Sequence, residues 1–446
     1  MAASAEASKR GALRYGILAL IFFVTVINYA DRAVISIAAP PMSDDLGLDP
    51  VEMGFIFSAF AWSYVAGQLP GGWILDRFGS KWVYALSITL WSVFTLLQGF
   101  VGFLAGGAAV MTLFGLRLAV GLAEAPSFPA NARIVSAWFP TSERGTASAI
   151  FNSGQYFATV MFAPFMAWIV HDFGWQQVFW VMGILGVLIT LVWVKVIYSP
   201  RKHPLMKPAE LAYIEAGGAL LDVEEKARAG DSKKSGPSLG AIGQLLSNRM
   251  LLGIYIGQYC ITTLTYFFLT WFPVYLVKER GLSILQAGFA AVLPALCGFI
   301  GGILGGVISD AILKKTGSLT WARKTPIVAG MLLSTAIIGC NYVESPALVV
   351  GLMGVAFFGK GIGALGWAVV SDTSPKEIPG LNAGLFNTFG NTAGITTPIA
   401  IGYIVAASGG SFTGALVFVA ANALMALISY LFIVGEIKRV VLRPSA

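Results

Sequence analysis

Pro140-Thr-Ser-Glu-Arg-Gly145-Thr-Ala-Ser-Ala-Ile-Phe151-Asn152 returns later in the chain as Pro375-Lys-Glu-Ile-Pro-Gly380-Leu-Asn-Ala-Gly-Leu-Phe386-Asn387. The proline, glycine, phenylalanine and asparagine keep one offset, 235 residues (140 to 375). Ile169-Val170 and Ile404-Val405 hold the same offset, and Pro164 and Pro398 miss it by one. A second pair, Gly72-Trp-Ile-Leu-Asp76 and Gly306-Val-Ile-Ser-Asp310, lies 234 apart (72 to 306). Glycine-rich helices resemble one another in general, but a register held over this many positions marks a duplicated half.

The residues between these landmarks say what kind of half is duplicated. Of 446 residues, 57% are hydrophobic and 11% charged, against about 25% charged in a soluble domain. That excludes a soluble fold and a disordered chain. The net charge of +7 does not indicate a nucleic-acid binder, because the basic residues lie in short loops between apolar runs. Cys260, Cys297 and Cys340 all fall inside such runs, so neither a disulfide framework nor a zinc site follows. The 52 glycines suit helices that approach closely in lipid.

A bilayer-spanning helix needs about 20 apolar residues. Runs of that kind lie near 15–39, 53–75, 83–105, 107–136, 145–170, 175–198, 250–277, 285–312, 326–343, 347–371, 380–407 and 412–435. The expected fold is therefore an all-α membrane protein with twelve transmembrane helices. The only long polar stretch, 199–249, follows the sixth run. It divides the chain into an N-terminal six-helix bundle (1–198), a cytoplasmic linker (199–249) and a C-terminal six-helix bundle (250–446), pseudo-symmetric by the repeat. The first run follows Lys9, Arg10 and Arg14 and is too long for a cleaved signal core, so it reads as a signal anchor.

Lysine and arginine crowd the N-terminus, the 76–82 loop, 199–249, 313–324, Lys376 and the tail with Lys438, Arg439 and Arg443. The alternate loops carry Asp44, Asp45, Asp49, Glu52, Asp172 and Glu344, with Lys278 and Arg280 as the exceptions. The positive-inside rule puts both termini in the cytoplasm.

Parallel half-repeats about a membrane-normal axis are the plan of many secondary transporters, with substrate bound near mid-membrane between the halves. No Walker pattern supports direct ATP drive. The two histidines, His171 and His203, fall at expected loop positions between runs, so redox and metal chemistry have little to work with. The chain reads as a carrier rather than an enzyme, with no cofactor and no metal. A sensory or scaffolding membrane protein would need a signalling domain, which 199–249 is too short and polar to form.

Charges inside the bilayer are costly and therefore informative. Five fall within the spans: Asp31, Arg32, Arg117, Glu124 and Lys360, all but the last in the N-terminal half. Asp31 and Arg32 are neighbours and point about 100° apart on a helix. Arg117 and Glu124 lie seven residues apart and share a face. Buried ion pairs that only join two spans are one reading. The other gives an arginine to an anionic substrate, since its planar fork grips a carboxylate in two hydrogen bonds, and gives the carboxylates to protons. Lys360 either snorkels to water along its glycine-lined groove or offers a second cation that would favour a diacid. Tyr29, Tyr64, Asn152, Gln155, Gln258 and Asn387 can hydrogen-bond a polyhydroxylated chain, and Trp367 can stack on its C–H faces. Each of these types more commonly serves packing.

Gly71-Gly72-Trp-Ile-Leu-Asp76-Arg77-Phe-Gly79-Ser80-Lys81 reads as a tight turn with an acid and a base at helix ends, a latch that Glu143 and Arg144 could complete. It resembles the signature loop of the major facilitator superfamily, with Ser80 in place of one basic residue. The counterpart keeps Asp310 but spaces Lys314-Lys315 differently. Asn28-Tyr-Ala-Asp31-Arg32, Phe57-Ser-Ala-Phe-Ala-Trp62, Gly121-Leu-Ala-Glu124-Ala-Pro-Ser-Phe-Pro129, Phe272-Pro273, Ala322-Arg-Lys-Thr-Pro326 and Phe357-Phe-Gly-Lys-Gly-Ile-Gly-Ala-Leu-Gly-Trp367 resemble the anion:cation symporter family over essentially the whole chain. Within it the chain is similar to the bacterial glucarate/galactarate transporters, with the galactonate transporters next. The resemblance implies the major facilitator fold and proton-coupled uptake of a sugar-acid anion across a bacterial inner membrane, by a functional monomer. It implies proton coupling at Asp31 and Glu124 and substrate contact at Arg32; Arg117, on the face of Glu124, is the expected charge partner. It places Tyr64, Gln155, Gln258, Trp367 and Asn387 around the substrate. A lysine at 360 departs from the galactonate branch, which favours an aldarate over an aldonate. A monoacid symporter, or an anion exchanger or uniporter, uses the same scaffold.

Overall fold

The computed structural model describes residues 12–104, 106–222, 239–375 and 378–442, without the side chains of 69, 76 and 379. Lys9, Arg10, Lys376, Arg443 and the Asp76 side chain thus lie outside the described residues. Apolar runs become helices because, in lipid, each backbone N–H and C=O must find its partner within the segment. Among the described residues, ten helices are long and apolar enough to cross a membrane. Two further helices of 29 residues, Pro50–Phe78 and Pro379–Ala407, occupy the expected second and eleventh runs.

Seven helices from the first half position the site. They are α1 (Leu13–Leu46), α2 (Pro50–Phe78), α3 (Ser80–Gln98), α4 (Gly107–Glu124), α5 (Ser127–Trp138), α6 (Arg144–Phe173) and α7 (Trp175–Val196). The fourth run is broken between α4 and α5 at Ala125-Pro126, where proline has no N–H to continue the ladder. Glu124 is therefore the last residue of α4, at the break itself. Later helices include α8 (Pro208–Ala216), α9 (Leu239–Ser247), α10 (Arg249–Tyr266), α11 (Phe272–Lys278), α12 (Ile284–Ala290), α13 (Val292–Thr316), α14 (Leu319–Ser334), α15 (Pro346–Ile362) and α16 (Gly366–Thr373), then α17 (Pro379–Ala407) and α18 (Thr413–Ile428).

One compact unit holds the described residues of 12–34, 63–158 and 175–222. Within it α3 packs on α7 where a Cβ on Gly183 or Gly186 would collide with Leu96 or Ser92. The start of the linker folds onto this unit. Glu210 on α8 accepts from the backbone N–H groups of Leu13 and Arg14 at 3.2 and 3.1 Å and from the Arg14 guanidinium at 3.3 Å. Glu143 accepts from Arg14 Nε at 3.1 Å and from the Tyr213 hydroxyl at 2.6 Å. Arg144 donates to the carbonyls of Phe139, Ser136 and Gly218. The start of the linker is thus a clamp across the first helix and the loop before α6.

The other unit holds the described residues of 35–62, 159–174 and 239–442. Its helices α13 and α15 meet through glycine, for a Cβ on Gly361 would collide with the Gly298 carbonyl. It also accounts for the two basic residues on the acidic side. Lys278 Nζ pairs with Asp44. Arg280 donates to the Tyr275 hydroxyl at 2.7 Å and to the carbonyls of Val343 (2.9 Å) and Cys340. Bound this way, both charges are consumed by local contacts.

Candidate functional site

The first unit gathers most of the charges singled out in the sequence. Arg32 and Glu124 are buried, 7% and 0% exposed, and Arg32 Nε donates to Glu124 Oε2 at 2.8 Å. The guanidinium lies over two tyrosine rings, 4.7 Å from the Tyr29 centroid and 4.9 Å from that of Tyr64. Aromatic faces stabilise a desolvated cation, so Arg32 keeps its charge away from bulk water. Tyr29 is fixed edge-on by Phe128 on α5, at 6.0 Å.

Asp31 turns away from Arg32, as neighbours on a helix must. It is 1% exposed, and neither carboxyl oxygen has a hydrogen-bond partner among the described residues. The Trp91 indole faces it, and it lies in the fields of Glu124 and Arg117. Arg117, 3% exposed, shares the buried face of α4 with Glu124. The paired reading of the two arginines is therefore half realised in plain geometry, as Arg32 with Glu124. Asp31 lies in the field of Arg117.

The remaining candidates are more scattered. Gln155 donates to the carbonyl of Asn152, and Asn152 to that of Ser148, all on α6. In the other unit, Gln258 on α10 donates to Thr262 at 3.2 Å and sits where Cβ atoms on Gly366 or Gly390 would touch it. Asn387 accepts from Asn391 at 3.0 Å. Trp367, 57% exposed, is held edge-on by Phe386 at 5.1 Å. Lys360 is 6% exposed, with Nζ 5.1 Å from the Phe357 ring centroid. It does not snorkel to the surface. Its helix ends two residues later, at Ile362, before the break at Gly363-Ala-Leu365.

Of the latch residues, Gly72 is open to side-chain space and Arg77 lies against Trp73 and Phe78. Glu143 and Arg144 are engaged by the linker clamp. In the second half, Arg323 on α14 donates to Asp372 at 2.8 Å and to Ser309 at 2.7 Å, and stands 3.8 Å from Asp310. Arg323, rather than Lys314 or Lys315, is thus the basic residue beside Asp310 and Asp372. The signal was present in Ala322-Arg-Lys-Thr-Pro326.

Helices of membrane-spanning length that enclose charged groups define a polytopic membrane protein. The model of the Major Facilitator Superfamily matches residues 21–322. The chain belongs to that superfamily. It is 63% identical over 439 residues to a probable galactarate/D-glucarate transporter of Bacillus subtilis, covering 98% of this chain and 96% of the relative. It is 42% identical over 439 residues to a D-galactonate transporter of Escherichia coli, covering 98% and 99%. The fold matches the crystal structure of a D-xylose-proton symporter with a TM-score of 0.72, at 16% identity, over 96% of this chain and 99% of that one.

Proposed function

We propose that this protein is a proton-coupled importer of a sugar-acid anion, galactarate or D-glucarate, working by alternating access. The observation that carries the reading is the buried Arg32–Glu124 pair under Tyr29 and Tyr64. A lone arginine would bind any anion. An arginine already held by a carboxylate binds one well only when that carboxylate is neutralised, which ties anion affinity to a proton. The relatives named for galactarate and D-glucarate support the substrate class, and two titratable carboxyls support the stoichiometry. An anion entering a negative-inside cell works against about 2.3 kcal/mol per charge per 100 mV. A dianion therefore faces about twice that opposition, and two protons, on Asp31 and Glu124, cancel it.

In this cycle, protons from outside neutralise Asp31 and Glu124, Arg32 takes the substrate carboxylate, and residues 1–198 rock against 250–446. Both cargoes then leave on the inner side. Tyr29, Tyr64, Gln155, Gln258, Trp367 and Asn387 contact the hydroxylated chain, and Lys360 meets the second carboxylate. Asp76, Arg77, Glu143 and Arg144 govern the cytoplasmic latch. The setting is a bacterial inner membrane, with both termini inside and one chain sufficing. The similarity to the D-galactonate transporter favours a monoacid as the second reading. Uptake of labelled galactarate, D-glucarate and D-galactonate into proteoliposomes, with and without an imposed pH gradient, tests both. Aldarate accumulation that follows the gradient without net current supports the first reading. Net inward negative charge, or accumulation indifferent to pH, overturns it.

A further inference from the structure

Behind the Arg32–Glu124 pair lies a second polar region that the transport reading leaves unused. On α3, Tyr84, Ser87 and Trp91 share one face at spacings of three and four. Ser87 donates to the carbonyl of Ala123, which seats this face directly beside Glu124. Tyr84 and Trp91 are both 0% exposed, and their ring centroids lie 6.1 Å apart. The Tyr84 hydroxyl faces Asn131 and Ser127 of α5 and lies in the fields of Glu124 and Arg32. Asn28 of α1 faces Glu124, and Trp91 faces Asp31.

These groups lie within interaction range of one another but fall short of full hydrogen-bond geometry. Both side-chain polar atoms of Asn28, both oxygens of Asp31, the Tyr84 hydroxyl, Trp91 Nε1, Glu124 Oε1, Ser127 Oγ and Asn131 Oδ1 are buried with no partner among the described residues. Asn131 is oriented from its other end, where Nδ2 donates to Thr25 at 3.1 Å. One unsatisfied buried polar atom costs about 1–3 kcal/mol. Nine of them on four helices, each meeting at best a poorly aligned neighbour, make a dry interior costly here, and apolar residues would pack that space at no such cost. Buried water stabilises sites where it finds about two to four polar partners, and this cluster supplies donors and acceptors on every side.

We propose that Asn28, Tyr84, Trp91, Ser127 and Asn131 wall a chamber of ordered water inside the first unit, and that this water with the Tyr84 hydroxyl carries the Glu124 proton toward the Ser80 end of α3. The relay rests on the proton-coupling reading above; the chamber does not. In the transfer, the Glu124 O–H bond breaks as a chamber water takes the proton on its lone pair. That water passes a different proton to the Tyr84 oxygen, which releases its own to the next water in the same step. Glu124 is left as the carboxylate that Arg32 holds. Tyr84 is a positioning and relay residue and touches no substrate.

The test has two arms on the full-length protein in membranes. Hydroxyl radicals generated by X-rays mark side chains beside bound water whatever their exposure. Tyr84 and Trp91 are expected to label well above Trp138 and Tyr255, which are equally buried. Labelling no faster than those two overturns the chamber. In proteoliposomes, Tyr84→Phe keeps the ring and deletes the hydroxyl. The ratio of pH-driven uptake to substrate counterflow is expected to fall about tenfold, the rate equivalent of one lost hydrogen bond in the transfer step. A structural defect lowers both rates together and leaves the ratio alone, which overturns the relay. If wild-type protein labels at Tyr84 but transports without regard to pH, the chamber stands and the relay falls with the coupling reading.

Discussion

Arg32 Nε stands 2.8 Å from Glu124 Oε2 with both side chains sealed from solvent, so the cation assigned to substrate is already occupied by a carboxylate. In the proposed cycle, substrate and Glu124 compete for one guanidinium. Glu124→Gln ends the competition. Wild-type affinity for the sugar acid is expected to weaken as pH rises and Glu124 ionises, and the variant to lose that pH dependence along with uphill transport. Binding titrations at two pH values check this, and an unchanged slope in the variant would falsify the competition.

Arg32 owes its role to a planar fork and to the two rings that sandwich it. Arg32→Lys keeps the charge and loses the bidentate geometry, so affinity is expected to fall by about tenfold or more. Arg32→Ala is expected to abolish binding and also to leave Glu124 as an uncompensated buried charge. Removing one partner of such a pair costs about 3–5 kcal/mol. A thermal shift alongside each titration separates lost binding from lost fold.

The Asp31 carboxyl oxygens are buried with no hydrogen-bond partner among the described residues. Asp31→Asn is isosteric and removes only the titratable group. Accumulation against a gradient is expected to disappear while counterflow persists. Equal loss of both would return Asp31 to a packing role.

The linker clamp is open to a stability test. Glu210 accepts from two backbone N–H groups and the Arg14 guanidinium while only 1% exposed. Glu210→Ala removes the acceptor of two backbone N–H groups and one of the two carboxylates on Arg14, and a loss of about 2–4 kcal/mol is expected. Thermal unfolding measures it, and a shift within error would mean the clamp contributes nothing.

His203 adds a pH dependence whose sign follows from its partners. Nδ1 accepts from the Leu205 N–H and Nε2 faces the Val196 carbonyl, each at 3.1 Å, so the ring fits as the neutral Nε2–H tautomer. Burial is the main cause that holds its pKa below the usual value, with Lys81 adding to it. Above about pH 6.5 the ring is neutral folded or unfolded. On acidification the unfolded chain takes the proton first. Stability therefore falls as pH drops through that value and levels off below the lowered folded-state pKa. Protection factors of the 200–216 amides, corrected for the intrinsic pH dependence of exchange, are expected to fall at pH 5.5 relative to 7.5, and His203→Gln to flatten the difference.

Much of this was written in one dimension. Run length fixes the helices because lipid leaves the backbone no other way to satisfy its hydrogen bonds. Pro126 ends α4 at Glu124 for a reason visible in the proline ring. Asp31, Arg32, Arg117, Glu124 and Lys360 stood out because a charge in an apolar run needs a cause.

Partnership was not written there. Which carboxylate holds Arg32, why Lys278 and Arg280 sit on the acidic side, and that Arg323 rather than a neighbouring lysine serves Asp372 were decided by tertiary structure alone. So was the gathering of Tyr84, Trp91, Ser127 and Asn131 behind Glu124. The physical reason is range. Hydropathy and periodicity are local sums along one chain. A 2.8 Å contact between residues 92 positions apart depends on how separate helices rotate and seat against each other. That is settled by close packing of small residues such as Gly183 and Gly361, which no local sum records.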